Sequence, residues 1–381
     1  MDFQLSDEIL GFEKTIRRFV EKEIDPLSLQ IERDARIPQS LIDQMKALGF
    51  FGLAIPEVYG GLGLAILDQC VIYEELGRTN ACIRTYIGSN NGPGVECICH
   101  DGSETQKQKY LPDLAGGKKL AAFAVSEADC GSDLKGVRTT ARKEGDKYIL
   151  NGSKFYITMG DVADLDVVLA YTDKTLGPRR GMTVFLVERG FSGFSLGAID
   201  EKMGLRGSNT CELVFEDCEV PQENVVGKVG DGFRVALKGI NRGRVNIAAV
   251  SIGTASKLLD LSIAYSKQRQ VSGQPISRFQ AIQFKLADMA TEIYASRSML
   301  YHAAWLADQG RPYVKEAAML KLFSTEMANR AAYEALQIFG GMGYMKELGV
   351  ERIYRDVRAL TIYEGTSEIQ RATIAAQLLK K

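Results

Sequence analysis

The chain has 381 residues, of which 45% are hydrophobic and 25% are charged, and its formal net charge is −1. This length and composition are typical of a globular protein with two or three domains. The small net charge gives no general electrostatic basis for binding nucleic acid or an anionic membrane. The chain also shows neither a long apolar run nor a signal-peptide pattern at its acidic N-terminus, so we predict no membrane span and a cytoplasmic location.

Cysteine and histidine residues favour neither a disulfide framework nor a metal site. The seven cysteines are an odd number and are scattered along the chain, which is typical of reduced thiols. Only Cys97, Cys99 and His100 cluster, and they lack a second ligand pair at zinc spacing. His302 is the other histidine, and neither lies in a nucleophile motif, so a hydrolase triad is not indicated. We predict no metal.

The first 118 residues have the pattern of helices joined by loops. Ser6 is placed to cap the first helix, and apolar residues follow at helical spacing between Ile9 and Val20. A glycine-rich stretch at 56–63 lacks the lysine of a phosphate-binding loop and is therefore predicted to be a connection. We expect an N-terminal helical domain over residues 1–118.

Strand patterns dominate residues 119–228. Short apolar runs lie at 167–171, 182–187 and 213–215, with turn residues between them. Asn151 and Gly152 separate two further runs and predict the turn of a hairpin. These short strands indicate a small antiparallel barrel or sandwich as a middle β domain.

Helical patterns return over residues 229–381. One helix carries its apolar residues on a single face, at Ile282, Leu286, Met289, Ile293 and Leu300. Gly310 can end that helix, and a further helix is predicted at about 314–339, where it meets Gly340 and Gly341. Several long helices with short connections predict a C-terminal helical bundle.

One carboxylate lies in a short break near the C-terminus. Glu364 is followed by Gly365, which permits backbone angles closed to other residues, and Thr366 or Ser367 can cap the next helix. A side chain placed by a loop and held by helices on both sides is a common arrangement for a catalytic base. On these residues alone, a solvated turn glutamate is the alternative.

Five segments resemble those of the acyl-CoA dehydrogenase family of flavoproteins and occur in the expected order across nearly the whole chain. They are the flavin segment at 123–133, the strand at 156–158, an arginine segment at 269–276, a glycine turn at 337–344 and the base loop at 363–366. The resemblance implies a mainly α fold with an N-terminal helical domain, a small antiparallel β-barrel and a C-terminal four-helix bundle. It also implies bound FAD and a homotetramer built from two dimers.

The resemblance also assigns roles to individual residues. The FAD contacts that it implies are Phe123, Val125, Ser126, Gly131, Ser132, Tyr156, Thr158, Arg269, Ser272, Gln280, Gln337, Gly340, Gly341, Thr366 and Glu368. The acyl-CoA contacts are Arg84, Ser132, Asn241, Arg244, Tyr363 and Gly365. The resemblance further implies that the arginine segment reaches the flavin of a neighbouring subunit. Without the resemblance, Tyr156 and Thr158 would be ordinary strand residues, the glycine pair a helix stop and Arg269 a solvated surface residue.

Some positions depart from the family pattern. Ala128, Asp129, Cys130 and Ser272 replace residues that are usual near the flavin, which affects the details of flavin packing rather than the fold. A second position that can carry the base in the family falls at Gly243, and glycine cannot act as a base. The catalytic role therefore falls to Glu364.

The implied reaction is the α,β-dehydrogenation of an acyl-CoA thioester. Glu364 would remove the proton next to the thioester while a hydride passes to flavin N5, giving a trans-2-enoyl-CoA. The Glu364 backbone amide would polarise the carbonyl, and burial would raise the Glu364 pKa toward the working pH. Electrons would then pass to an electron-transferring flavoprotein. We predict a short-chain acyl-CoA as substrate.

Arg84 leaves the substrate class open. Its position resembles that of the arginine with which glutaryl-CoA dehydrogenases hold a distal carboxylate, and of an arginine in related desulfinases that lack the catalytic glutamate. Arginine suits such a two-point grip. The alternatives are a surface arginine at a helix end, or pairing of Arg84 with Glu96. A non-catalytic flavin or acyl-CoA binding module and an acyl-CoA oxidase are further alternatives.

Overall fold

The structure is a computed structural model that describes residue 5 and residues 7–380. Ser6, the predicted cap of the first helix, lies outside the described residues. In the described chain a helical region comes first, a β-sheet follows, and a second helical region ends the chain. This is the predicted order of domain types.

The N-terminal region is helical because its apolar residues recur at helical spacing and are buried in two cores, one shared with the C-terminal helices and one, under the last two N-terminal helices, shared with the sheet. Its helices are α1 (Asp7–Phe19), α2 (Ser28–Asp34), α3 (Gln39–Ala47), α4 (Ile66–Gly77), α5 (Ala81–Asn91), α6 (Pro93–Asp101) and α7 (Glu104–Ala115). The glycine-rich stretch at 56–63 is a connection with one turn of 3₁₀-helix, as predicted. Gly61 is required there, because a Cβ would lie 2.0 Å from the carbonyl oxygen of Ile55.

The middle region forms one sheet. Its strands are β1 (Ala121–Ala124), β2 (Thr140–Glu144), β3 (Lys147–Thr158), β4 (Leu165–Tyr171), β5 (Met182–Glu188), β6 (Phe194–Ile199), β7 (Thr210–Pro221) and β8 (Val225–Val226), with the short helix α8 (Pro178–Gly181) before β5. The pairing order is β6-β7-β3-β2-β4-β5-β8, with β1 on β4. Most neighbours are antiparallel, but β1 and β2 pair in parallel with β4. No pairing joins β6 to β8 in the described part of the sheet, so the predicted closed barrel is not confirmed.

The predicted hairpin turn at Asn151 and Gly152 is wrong. Both residues lie inside the continuous strand β3, at an irregularity in its pairing with β7. Gly152 has φ +138°, and a Cβ there would lie 2.7–2.8 Å from Thr139. The glycine therefore marks a β-bulge with a close backbone approach rather than a turn. The hairpin between β2 and β3 turns instead just before Lys147, around Gly145, which has φ +60°.

The C-terminal region is a helical bundle. Its elements are α9 (Gly232–Gln268), the small hairpin β9 (Gln270–Val271) and β10 (Gln274–Pro275), α10 (Gln280–Asp308), α11 (Val314–Phe339), α12 (Gly341–Tyr344), α13 (Val350–Arg358) and α14 (Ser367–Leu378). The long helices α9, α10 and α11 pack on one another, α14 packs on α11, and α4 of the N-terminal region packs on α9. Helix α11 has the predicted bounds, and α10 ends just before Gly310.

Helix α9 is the central element of this bundle. It has 37 residues, and its length and composition alone would allow it to cross a membrane. However, 61% of its most apolar window is buried inside the protein, where the helix contacts α4, α10 and α11. Burial in the core of the bundle is therefore enough to explain why this helix is so apolar. The same helix carries Asn241, Gly243 and Arg244 to the candidate site.

Candidate active site

The loop before α14 places Glu364 in an unusual backbone conformation. Glu364 has φ +56° and the following Gly365 has φ +90°, both in the left-handed region. The hydroxyl of Thr366 then accepts a hydrogen bond from the backbone N–H of Ile369 at 3.3 Å and caps α14. Of the two predicted caps, Thr366 is the one that the structure uses. A non-glycine residue held in this conformation is a frequent mark of a functional site.

A cavity of about 330 Å³ lies beside this loop. It is formed where the flavin segment, the first turns of α9 and the base loop meet. Its lining residues are Phe123, Val125, Ser126, Gly131, Ser132, Asp133, Leu134, Lys135, Phe233, Leu237, Ile240, Arg244, Glu364, Gly365 and Ile369. The fold thus brings together two sequence motifs that are separated by more than two hundred residues.

Three cations influence the Glu364 carboxyl. Burial raises its pKa above the ordinary value, while Arg84, Arg244 and Lys321 act in the opposite direction. Burial also lowers the pKa of Arg244, whose Nη1 donates to Oδ1 of Asn241 at 2.9 Å. A Cβ on Gly243 would lie 2.6–2.9 Å from the carboxylate atoms of Glu364. The absence of a side chain at position 243 therefore provides the space that the carboxylate occupies.

Tyr363 lies in the same loop, and burial raises its pKa to about 12.

Arg84 is buried in α5, with 7% of its surface exposed. Its guanidinium lies over the ring of Tyr73, 5.7 Å from the centroid, and its Nε has no hydrogen-bond partner among the described residues. Glu96 instead contacts Arg242 and His100, each at 3.0 Å. The reading of Arg84 as a surface arginine and its pairing with Glu96 are therefore both wrong.

Cys97, Cys99 and His100 are engaged in contacts with the protein. Cys97 is buried and its thiol donates to the backbone oxygen of Val235, while His100 contacts Glu96. Within residue 5 and residues 7–380, no group of three or more candidate ligand side chains is arranged to hold a metal ion.

Comparisons with known proteins agree with this arrangement along the whole chain. Sequence models of the acyl-CoA dehydrogenase N-terminal, middle and C-terminal domains match residues 6–118, 122–218 and 230–379. The chain belongs to the acyl-CoA dehydrogenase family. It is 41% identical to the short-chain specific acyl-CoA dehydrogenase, mitochondrial, of Homo sapiens, over 96% of this chain and 89% of that protein.

Two solved structures are closely similar to this acyl-CoA dehydrogenase. One is the butyryl-CoA dehydrogenase of Megasphaera elsdenii, with a TM-score of 0.96 and 39% identity over all of both chains. The other is described as the electron transferring flavoprotein of Acidaminococcus fermentans, with a TM-score of 0.97 and 41% identity, again over all of both chains. The predicted fold and family are confirmed. The protein is an enzyme of acyl-CoA dehydrogenation, and enzymes of this family are FAD-dependent.

The residues near the cavity fit one end of a flavin. Phe123, Val125 and Ser126 line the cavity, and the backbone N–H of Phe155 in β3 donates to the carbonyl of Ser126 at 2.9 Å. Tyr156 and Thr158 lie two residues apart on β3, and the described part of this acyl-CoA dehydrogenase leaves both exposed. A Cβ added at Gly131 would meet no atom within 4 Å, so there is free space beside this segment as well. Thr366 and Glu368 lie at the start of α14, next to the base.

The other predicted FAD contacts do not line the cavity beside Glu364 in the same chain. They are Arg269, Ser272, Gln280, Gln337, Gly340 and Gly341, and all are exposed. Arg269 follows Arg244 by about 25 residues, which is about 37 Å along a helix. Tyr265 stacks on Phe339 with ring centroids 4.2 Å apart, so the arginine segment and the glycine turn share one end of the bundle. One copy of this acyl-CoA dehydrogenase does not bring the two sets together.

A buried ion pair supports the flavin segment. Nζ of Lys154 in β3 lies 2.8 Å from Oε1 of Glu127, and the two side chains are 0% and 8% exposed. The Glu127 carboxylate also accepts from the backbone N–H groups of Arg138 and Thr139 and from the Thr139 hydroxyl, at 2.6–3.0 Å. Burial alone would raise the Glu127 pKa, but Lys154 and these donors hold it below its usual value.

Sequence reasoning missed two residues that hold the base loop. Lys321 donates to the carbonyl oxygen of Gly365 at 2.7 Å, and Gln370 donates to the carbonyl oxygens of Gly365 and Glu364 at 2.9 and 3.2 Å. A signal for Lys321 was present, since it falls on the buried face of α11 between Ala317 and Ser324. Burying a lysine at such a position costs free energy unless its charge is paired or has a role, and this cost is the signal that marks the residue.

Proposed function

We propose that the protein oxidises a short-chain acyl-CoA to the trans-2-enoyl-CoA, with Glu364 as the base. The observation that carries this proposal is the cavity in which Glu364 faces the flavin segment around Ser126 and Ser132. Both of the named relatives in which the substrate is specified act on short-chain or butyryl thioesters. The apolar side chains of Phe233, Leu237 and Ile240 supply the rest of a small cavity.

The chain's own residues supply the proton chemistry. The Glu364 carboxylate accepts the proton from the carbon next to the thioester, which its raised pKa favours. Its backbone N–H has no acceptor in the described part of the chain and is free to donate to the thioester oxygen, as the oxyanion arrangement requires. Arg244, held by Asn241, fixes the wall of the cavity beside the carboxylate. FAD, when bound, supplies the acceptor for the hydride.

A flavin-bleaching screen tests the proposed reaction. The purified protein is mixed without oxygen with butyryl-, isobutyryl-, octanoyl-, glutaryl- and succinyl-CoA, and loss of the yellow absorbance is followed. We expect butyryl-CoA to bleach the flavin fastest. No bleaching by any thioester would favour a non-catalytic binding module, and rapid reoxidation in air would favour an oxidase.

We expect about one FAD per chain in the purified protein. The residues of the cavity and of β3 leave room for the flavin ring, and the exposed glycines at the end of α11 leave room for a phosphate group. Quantifying flavin and protein in the same sample measures the ratio. A sample that holds no flavin and takes none up on addition of FAD would contradict the assignment of every flavin contact.

A second candidate substrate is a dicarboxylyl-CoA, and the burial of Arg84 favours it. A guanidinium out of solvent needs an anion, and in the described part of the chain no ion pair includes Arg84. The structure also offers a different counter-charge, because Arg84 is the first of the three cations that lower the pKa of Glu364. The two possibilities make different predictions for a change of Arg84.

Replacing Arg84 with lysine distinguishes them. If the substrate supplies the anion, Arg84→Lys should reduce kcat/KM for glutaryl-CoA much more than for butyryl-CoA, because lysine loses the planar two-point grip. If Glu364 is the counter-charge, both substrates should suffer alike and butyryl-CoA should be the better substrate of the wild type, which is the outcome we expect. A selective loss with glutaryl-CoA would overturn the short-chain proposal.

The electron acceptor and the assembly belong to the same proposal. The similarity to a chain in a structure described as an electron transferring flavoprotein supports such a protein as the partner. The distance between Arg269 and the cavity supports an assembly in which a neighbouring subunit completes each FAD site, as in a homotetramer of two dimers. The cytoplasmic location remains a prediction.

A further inference from the structure

Two polar side chains hold the backbone around Glu364. Lys321 and Gln370 both donate to the carbonyl oxygen of Gly365, and Gln370 also reaches the carbonyl oxygen of Glu364. Glu364 and Gly365 occupy left-handed backbone conformations, which cost a non-glycine residue about 1–3 kcal/mol unless the surroundings hold it there. These donors are the polar contacts that fix the two carbonyl groups.

A lysine is an unexpected residue to hold a backbone carbonyl in the protein interior, as Lys321 does. Its side chain is fully buried in α11, and in the described part of the chain no ion pair within 4.0 Å includes it. A neutral donor such as Gln370 can hold a carbonyl without the cost of burying a charge. The placement of an ammonium group therefore points to a use for its charge.

The groups around Lys321 identify that use. The charged groups that face it are Glu364 from the base loop, Arg244 from α9, Glu368 from α14 and Glu326 from its own helix. The pKa of Lys321 is lowered to about 8, mainly by burial. Arg244 acts in the same direction as burial, whereas the three carboxylates act in the opposite direction. Of these carboxylates, Glu364 has the largest influence, and Lys321 in turn lowers the pKa of Glu364.

We infer that Lys321 is a positioning residue for Glu364: it fixes the Gly365 carbonyl and, when charged, favours the ionised form of the base. This inference rests on the proposed role of Glu364. A base must be ionised to accept a proton, so the charge of Lys321 extends activity toward lower pH. At the same time its hydrogen bond keeps the carboxylate directed into the cavity.

The test compares Lys321→Met, which removes charge and donor, with Lys321→Gln, which keeps a neutral donor, and Lys321→Arg, which keeps the charge. Lys315→Met, on the same helix but partly exposed and outside the cavity, is the control. For each FAD-loaded variant, flavin content, melting temperature and kcat and KM for butyryl-CoA are measured over the pH range in which the protein stays folded.

We expect Lys321→Met to lower kcat by up to about 10²-fold with a smaller change in KM, since a small displacement of a catalytic group can cost that much. The acidic limb of the kcat–pH profile, where activity falls as the pH is lowered, should move up by about one pH unit in Lys321→Met. This is the usual effect of losing a neighbouring opposite charge. Lys321→Gln should show the same shift of the limb, and Lys321→Arg should keep the wild-type limb even if its kcat falls.

Two outcomes would overturn the inference. One is wild-type kcat and an unmoved acidic limb in Lys321→Met, or in Lys321→Gln if the methionine variant does not fold. The other is a shifted limb in Lys321→Arg equal to that of Lys321→Gln. Glu364→Gln is assayed alongside, because its inactivity would leave the proposed function standing while the inference fails. An active Glu364→Gln would instead refute the proposed function itself.

Discussion

Replacing Glu364 with glutamine should reduce turnover by about 10²–10⁴-fold or more, the usual effect of losing one acid–base group. Glutamine keeps the shape of the side chain, so it should fill the space beside Gly243 and leave the base loop in place. The amide cannot accept the α-proton of the thioester. We therefore expect FAD and acyl-CoA still to bind, with the loss confined to flavin reduction in anaerobic rapid mixing.

The matched control is Glu347→Gln, an exposed glutamate in the turn before α13. It changes the net charge by the same amount and should leave turnover unchanged. If Glu364→Gln turned over at nearly the wild-type rate, another residue would be the base. If it failed to retain flavin, the loss of turnover would say nothing about proton removal, so flavin content is measured first.

Replacing Lys154 with methionine should destabilise the protein by about 3–5 kcal/mol, because it leaves the buried Glu127 carboxylate without its counter-charge. The ammonium of Lys154 also donates to the carbonyl of Val125, which lines the cavity. The variant should therefore lose both stability and affinity for FAD. Chemical denaturation of the FAD-free protein gives the first quantity and flavin titration gives the second.

The control for this prediction lies on the same strand. Lys147 pairs with Glu219 at 2.6 Å, but both side chains are substantially exposed, and Lys147→Met should change the free energy of unfolding little. Adding Glu127→Gln to Lys154→Met should recover part of the lost stability, because the unpaired charge is removed. Equal effects of Lys154→Met and Lys147→Met would show that burial of the pair contributes nothing.

The extent to which the sequence predicted the structure depended on the range of the interactions. Helices α10 and α11 followed from apolar spacing and from the glycines at their ends, because those signals act over a few residues. The turn at Asn151 and Gly152 was predicted wrongly because the decisive contacts are with distant residues: Thr139, just before strand β2, and the partner strand β7. A local turn pattern cannot report a bulge that another strand imposes.

Residues of the candidate site were predictable where they belong to a recognisable sequence motif. They were not predictable where only the packing of distant elements brings them to the site. Glu364 and the flavin segment were found through their resemblance to family motifs. The burial of Arg84, the pairing of Glu96 with Arg242 and the contact of Lys321 with Gly365 depend on which helices meet. These helix–helix contacts join residues from distant parts of the chain, and they cannot be read directly from a single sequence.

The left-handed backbone of Glu364 sets a limit on how this protein can be made more stable. Its raised pKa means that ionising the carboxyl costs folding free energy as the pH rises from the unfolded value through the folded one. The strained backbone and the buried Lys321 and Arg244 nearby add further cost. A search for thermostable variants by melting temperature alone would therefore favour replacing these residues, and it would enrich proteins that are well folded and inactive. Engineering of this scaffold should hold the base loop and its cations fixed and seek stability in the surface helices.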